Sequence, residues 1–468
     1  MTVQPIRALG EPVGSPLWWV RRLHQIILNR LTDIEMYDNY YAGRHPAPWL
    51  APQAQTEFRR LLRMTRSNYM GLVVDATVER QRVQGFRLGD DPAPDRELWR
   101  IWQANDFDVE HVQGIRDSTK RGRSFLLVGP NPVDPATPLM WIEDARESAV
   151  DYVPGTNRRV RAAGLKLWVD DWTAMLNATL YLPDWVYKFH ARGKGGAPSS
   201  STFWQPREVA RESWPAPNPL GVVPLIEMPN IDRCGVSEID DVIPIQDRIN
   251  KTLADRMMSQ DFGAFPQKWA IGYPTEDESG NKNTPIDVGR DRMVTSDVAE
   301  TKFGQWDAAP LDPFSAAKSE DVNDIAARTR TPPQYLLGRM VNIPGNAMEA
   351  AESGLVAKVT DRRMLPERSF EEGMRLVRVA AGNALPSDVQ IETDWVDPQF
   401  RTEAEKADAA VKKYGAGITT LRQVREDLGY TPAQIARMEA EDEKAAGDPL
   451  TAELLRGLPG RETGGGGS

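Results

Sequence analysis

The clearest hydrophobic period in the chain lies between Gly235 and Gly263. There Ile245, Ile249, Leu253 and Met257 recur every four residues and so share one face of a helix. Ser237 with Asp240 three residues on resembles a capping box, and Pro244 sits just inside a second helical start, where its missing N–H does least harm. The other faces carry Asp247, Arg248, Lys251, Asp255 and Arg256, with Asp247 spaced to pair with Lys251 one turn later. A stripe one residue wide is too narrow for a core helix. It predicts a helix that touches a neighbour along a seam and stays hydrated elsewhere, although an ordinary amphipathic surface helix has the same pattern.

Three helices precede it, over 17–41, 66–84 and 97–121. The second carries Leu72, Val73, Ala76 and Val83 on its inner face. Short β-branched or aromatic runs follow at 124–128, 139–142, 149–153, 161–169 and 175–189, separated by Gly- and Pro-rich turns. They predict an antiparallel sheet with one solvated face. Residues 193–201 read as an exposed flexible loop. Beyond the striped helix, strands at 265–271 and 293–294 flank a polar loop. Asp312 and Pro313 then open a helix bearing Phe314, Ala317, Val322 and Ile325, which Pro332 and Pro333 stop. Two long helices thus bracket an insertion. A Gly- and Pro-punctuated loop leads to a helix over 347–381, which Pro366 should kink. A strand at 389–395, helices over 402–446 and a flexible Gly-rich tail complete the chain.

At 468 residues the chain should hold two to four domains, and its 40% hydrophobic and 26% charged residues are ordinary for folded proteins. The sequence contains no apolar run long enough to span a membrane, and its start lacks the apolar region of a signal peptide. A single cysteine, Cys234, excludes an intrachain disulfide and fits a reducing cytoplasm. With four histidines besides, it makes no usual structural zinc site. The net charge of −10 opposes tight gripping of a polyanion; a contact with DNA would guide rather than hold.

No phosphate-cradling loop, dinucleotide fingerprint, zinc-hydrolase motif or nucleophile elbow occurs. Asp170 with Asp171, and Asp240 with Asp241, are conceivable magnesium ligands, but acidic doublets are common in turns and helix starts. Trp99, Trp102, Trp168, Trp172 and Trp185 sit in apolar runs, which predicts core packing rather than base stacking. No catalytic residues, cofactor or metal are expected.

Several segments, in order, carry a family resemblance: NYYAGRHP, NYMGLVVDATVERQRVQGF, NPLGVVPLIEMPN, GVSEIDDVIPIQDRINKTLADRM, IAARTRTPPQYLLG, NIPGNAMEAAESGLVAKV and GITTLRQVREDLGYTPAQI. Their order and spacing over roughly residues 20 to 440 resemble the portal proteins of tailed bacteriophages, the SPP1-type family. The resemblance implies an α+β portal fold of wing, stem, clip and crown, with long stem and tunnel helices and an antiparallel β region in the wing. It places the N-terminal part of the wing at 1–230, the first stem helix at 231–262, the clip at 263–310 and the second stem helix at 311–338. The tunnel loop, long helix and return to the wing fall at 339–395, the helical crown at 396–450 and a disordered tail at 451–468.

The tunnel loop would be Arg339, Met340, Val341, Asn342, Ile343, Pro344, Gly345 and Asn346, and the stem seam Ile245, Ile249, Leu253 and Met257. Arg248, Lys251 and Arg256 would face the tunnel or form intersubunit or intrahelical pairs. The implied function is structural rather than enzymatic: a dodecameric ring at one capsid vertex through which double-stranded DNA is packaged and ejected. Its partners would be further copies of itself, the major capsid and scaffolding proteins, the terminase large subunit and the head-tail adaptor, with no membrane. It would reside in the virion, and in the host cytoplasm during assembly. The competing readings are a metal-dependent nucleic-acid-processing enzyme built on the acidic doublets and a head assembly adaptor that forms no ring.

Overall fold

The computed structural model describes residues 11–49, 62, 64–89, 91, 93–158, 160–192, 203–210, 212–264, 268–272, 299–338, 345–399, 403–430 and 432–447. The chain divides into two compact units, one of residues 1–38, 73–240 and 342–468, the other of residues 39–72 and 241–341.

Among the described residues, the first unit holds three antiparallel sheets. Helix α1 (Pro16–Tyr41) enters it, and after α2 (Met70–Val78) come β1 (Val83–Leu88), α3 (Arg96–Ala104), α4 (Phe107–Arg121) and β2 (Arg123–Gly129). Strands β3 (Leu139–Glu143), β4 (Ser148–Tyr152), β5 (Arg161–Asp170), β6 (Met175–Tyr181) and β7 (Trp185–Arg192) follow. The short β8 (Gln205–Pro206) and β9 (Ala216–Pro217) both pair with β7, and β10 (Leu225–Pro229) pairs with β2. The largest sheet runs β4-β5-β6-β7-β8. Val20, Leu23 and Ile27 of α1 form one core with Leu165, Leu167, Leu180 and Phe189 of that sheet.

The second sheet, β10-β2-β3, packs against α4 and against α8 (Gly345–Ala380), the longest helix. Five consecutive residues of β2 are buried, as are five of β6. The expectation of one solvated face therefore fails along these strands. For β2 the reason is that two helices cover its sheet. Gly122 and Gly235 let two backbone turns meet: both adopt positive φ, and a Cβ on either would fall within 2.7 Å of the other's carbonyl oxygen.

The third sheet pairs β1 with β13 (Ile391–Trp395). Beside it lies an aromatic cluster on the fully buried Trp102, which meets Phe86, Phe107 and Phe370 with ring centroids 4.8 to 5.4 Å apart. Trp172 and Trp185 are instead exposed, Trp172 because it caps the β5–β6 turn. The core reading of these two tryptophans is corrected. Helices α9 (Glu403–Gly415), α10 (Leu421–Asp427) and α11 (Pro432–Gly447) close the chain, and Arg87 of β1 reaches Glu426 of α10 at 3.1 Å.

Three further predicted elements change. The helix expected over 66–84 spans only Met70–Val78, because Val83 and its successors pair with β13, some three hundred residues away in sequence. The helix expected over 97–121 breaks at Asn105 and Asp106. Asp106 takes a φ of 55°, while the Asn105 amide donates to the carbonyls of Ile101 and Pro138 at 2.9 Å. The helix expected over 347–381 begins at Gly345, so Gly345 and Asn346 lie in its first turn, and Pro366 lies within it.

The second unit contains α5 (Ile243–Ala264), the hairpin of β11 (Lys268–Ile271) and β12 (Lys302–Gln305), α6 (Asp312–Thr329) and α7 (Pro333–Leu337). The strand expected at 293–294, most of the insertion's polar loop, the loop at 193–201 and the tail at 451–468 lie outside the described residues.

Candidate functional site

Helices α5 and α6 pack against each other and run antiparallel, since Asp241, just before α5, meets Arg328 near the end of α6 at 3.0 Å. Midway, Arg248 of α5 bridges Asp321 at 2.6 Å and Asp324 at 3.0 Å on α6. These carboxylates hold the Arg248 guanidinium above its usual range, the hydrogen bond to Asp321 contributing most. The side chain is 55% exposed, so each such pair contributes only about 0.2–1 kcal/mol. The bridges fix the register of the helical pair more than its stability.

The face that α5 buries is wider than its hydrophobic stripe. Ile245 and Ile249 are buried, and so are Gln246, Asn250 and Ala254. On α6, Val322, Ile325 and Ala326 are buried. Leu253 and Met257 are half-buried, while Ala254 forms a small cluster with Leu62 and Met258. The seam reading therefore needs correction at its first two positions: Ile245 and Ile249 lie in the core of their own chain. The two amide side chains double the width of the face, and their polarity hides them from a hydrophobic pattern.

Those amides tie His45, Ser67 and Tyr69 to α5. The Gln246 side chain accepts from the backbone N–H of Tyr69 at 3.0 Å and donates to the carbonyl of Ser67 at 2.9 Å. The Asn250 carbonyl oxygen accepts from the N–H of Ser67 at 3.1 Å, which turns its NH2 group toward His45 Nδ1 at 2.9 Å. His45 Nδ1 must then be the acceptor, so Nε2 carries the proton and donates to the Tyr40 carbonyl at 3.1 Å. The Tyr40 ring stacks on His45 with centroids 5.0 Å apart, and its hydroxyl donates to both Asp247 oxygens at 2.8 and 2.9 Å. Burial, then the hydrogen bond to Asp247, pushes the Tyr40 phenol up.

This arrangement settles the expected Asp247–Lys251 pair. Tyr40 occupies Asp247, and Lys251 pairs with Asp255 at 2.5 Å. Arg256 has its Nε buried with no hydrogen-bond partner among the described residues. The capping box is replaced as well: Ser237 Oγ donates to the Lys120 carbonyl at 2.5 Å, and Asp240 accepts from the Tyr37 hydroxyl at 2.6 Å. Asp312 lies within the first turn of α6 rather than capping it. Asp170 closes the β5–β6 turn by accepting from Trp172 N and Thr173 Oγ1, both at 2.9 Å. The tunnel-loop residues Arg339 to Pro344 lie outside the described residues.

Burial pushes the His45 imidazole below its ordinary pKa, and the network needs it neutral. The unfolded chain takes up this proton near pH 6.5, before the folded chain does. Stability from His45 is therefore complete above that pH and falls as the solution is acidified through it. Urea midpoints measured between pH 8 and pH 5 should fall more steeply for the native chain than for His45→Ala. Parallel slopes would show that the ring is protonated equally in both states.

The sequence matches the family described as "Phage portal protein, SPP1 Gp6-like" over residues 21–448. It is 31% identical over 434 residues to the portal protein of Mycobacterium phage L5, covering 88% of this chain and 86% of the relative. To the portal protein of Mycobacterium phage D29 it is 33% identical over 430 residues, covering 87% and 84%. A solved structure titled "Neck of empty GTA particle computed with C6 symmetry" aligns at 15% identity with a TM-score of 0.39, over 82% of this chain and 96% of that one, too low a score to carry an argument. The chain belongs to the SPP1 Gp6-like family of phage portal proteins.

Proposed function

We propose that copies of this chain close into a dodecameric ring at one capsid vertex and conduct double-stranded DNA during packaging and ejection. The observation that carries this reading is the family match over residues 21–448, nearly the whole chain. The antiparallel α5–α6 pair then serves as the stem, and the chain between the two helices, with its β11–β12 hairpin, as the clip that docks the terminase. Helices α9 to α11 correspond to the crown, and the first unit's sheets with α8 to the wing. The segment from Arg339 to Asn346 takes the part of a tunnel loop. Capsid and scaffolding proteins would surround the ring, and a head-tail adaptor would join it after packaging. The role is structural, in the virion and earlier in the host cytoplasm, with no catalytic step.

A closed ring needs each subunit to present two different faces to its two neighbours. The half-buried Leu253 and Met257 and the outward charges of α5 and α6 are available for this. The net charge of −10 suits a channel past which a duplex slides without being held.

Electron micrographs of the purified protein should show rings with a central hole. A strictly monomeric species at every salt and protein concentration would overturn the proposal, and magnesium-dependent DNA cleavage would overturn its non-enzymatic part. Leu253→Asp should lower ring yield while leaving the subunit's far-ultraviolet circular dichroism and melting unchanged. Deletion of Met340–Pro344 should leave rings intact and impair packaging or retention of DNA. Normal packaging in that variant would remove the tunnel-loop assignment.

A further inference from the structure

In the first unit a cleft of about 410 Å³ is lined by Arg30 of α1, Arg123 of β2 and the turn Val153–Arg158 after β4. Charge around it is unbalanced. Arg123 and Arg158 both pair with one carboxylate, that of Glu227, Arg158 at 2.6 Å. Tyr152 donates to the same carboxylate at 2.9 Å, which fills it further. Glu227 lies behind the lining, and Asp151, the acid in the lining itself, is paired with Arg22 of α1.

Arg30 has no carboxylate partner among the described residues. Its Nη2 donates to the Ser148 carbonyl at 2.6 Å, its guanidinium lies 5.5 Å from the centre of the Phe125 ring, and its Nε is buried without a hydrogen-bond partner among the described residues. Burial, and then repulsion from Arg123, bring Arg30 down to about 9. A desolvated guanidinium beside two others is poorly compensated, and a bound anion would restore the balance.

The turn that carries Arg158 supports a built site. Asn157 and Arg158 adopt consecutive positive φ values of 51° and 60°. That conformation is unfavourable for residues with a Cβ and persists only where surrounding contacts enforce it. Here it lays Arg158 over the Tyr152 ring at 4.8 Å, at the edge of the cleft.

We propose that this cleft is a binding site for a small oxyanion, a phosphate or a carboxylate, held by the guanidinium of Arg30 with Arg158 and Arg123 beside it. Guanidinium forks match the oxygen spacing of both anions and can bind them through paired hydrogen bonds, which chloride cannot accept in the same geometry.

The test is thermal unfolding of the full chain in chloride, inorganic phosphate or acetate at constant ionic strength and pH 7.5. Phosphate or acetate should raise Tm saturably by roughly 2–4 °C, and the anion with the lower half-saturation identifies the class. Arg30→Met should abolish that rise while keeping the native circular dichroism and a Tm in chloride no lower than that of the unaltered chain. Should Arg30→Met fail to fold, Arg158→Met serves as the second variant, with the response weakened at least tenfold in half-saturating concentration. No saturable response to either anion, or an equal response in the variants, would overturn the proposal.

Discussion

Replacing Ile249 with Asp is expected to unfold the second unit rather than to disturb assembly alone. Ile249 is 0% exposed on the face where α5 meets its own chain. The substitution removes a buried aliphatic side chain, a loss of about 2–5 kcal/mol. It also places a carboxylate beside Gln246 and Asn250, whose amides are already committed to Tyr69, Ser67 and His45. An uncompensated charge there adds several kcal/mol more, so the total reaches about 5 kcal/mol or above, comparable with the stability of a whole domain. Limited proteolysis should cut within 39–72 and 241–341 in this variant and spare the first unit. A native proteolytic pattern with loss of rings would instead make Ile249 an intersubunit contact. Paired with Leu253→Asp, the experiment separates core from seam on a single helix.

The second large effect is expected at Glu238, in the first unit. Its carboxylate lies 3.5 Å from Lys358 Nζ and 2.9 Å from Arg362 Nε, both on α8, and accepts from the Asn230 amide at 3.4 Å. Burial would push this carboxyl up, but the two cations more than offset that and hold it below the usual carboxylate range. Lys358 is 1% exposed, so Glu238→Gln removes a carboxylate from beside a buried ammonium. Breaking such a pair from one side costs about 3–5 kcal/mol. Adding Lys358→Met removes the less compensated charge and should recover much of the loss. Equilibrium denaturation of the two single variants and the double variant measures the coupling. Additive losses would show that Glu238 and Lys358 do not depend on each other.

Much of the architecture was legible in the linear pattern because it rests on local periodicity. The antiparallel strands between β2 and β7, the paired helices around an insertion and the helical C-terminal region follow from alternation, helical spacing and Pro or Gly punctuation. Errors gathered where a distant partner overrode local preference. Val83 continues the apolar helical pattern of Leu72, Val73 and Ala76, yet it opens a strand that pairs with residues 391–395. Ser237 and Asp240 have capping-box spacing, yet their side chains serve Lys120 and Tyr37. Asp247 is spaced for Lys251, but the Tyr40 hydroxyl lies against it.

The candidate site divides in the same way. By itself, the sequence determined the family, through the order of several weak segments, and the existence of α5 and α6, through four-residue spacing and proline at the helix starts. It also determined the acidic balance, a net charge of −10. Only the tertiary structure decided which face of α5 is core. Gln246 and Asn250 read as solvated in a hydropathy pattern, and they are buried because backbone groups of Ser67 and Tyr69 supply their hydrogen bonds. Burial of a polar side chain depends on a partner, and the partner's position is set by chain folding rather than by neighbours in sequence.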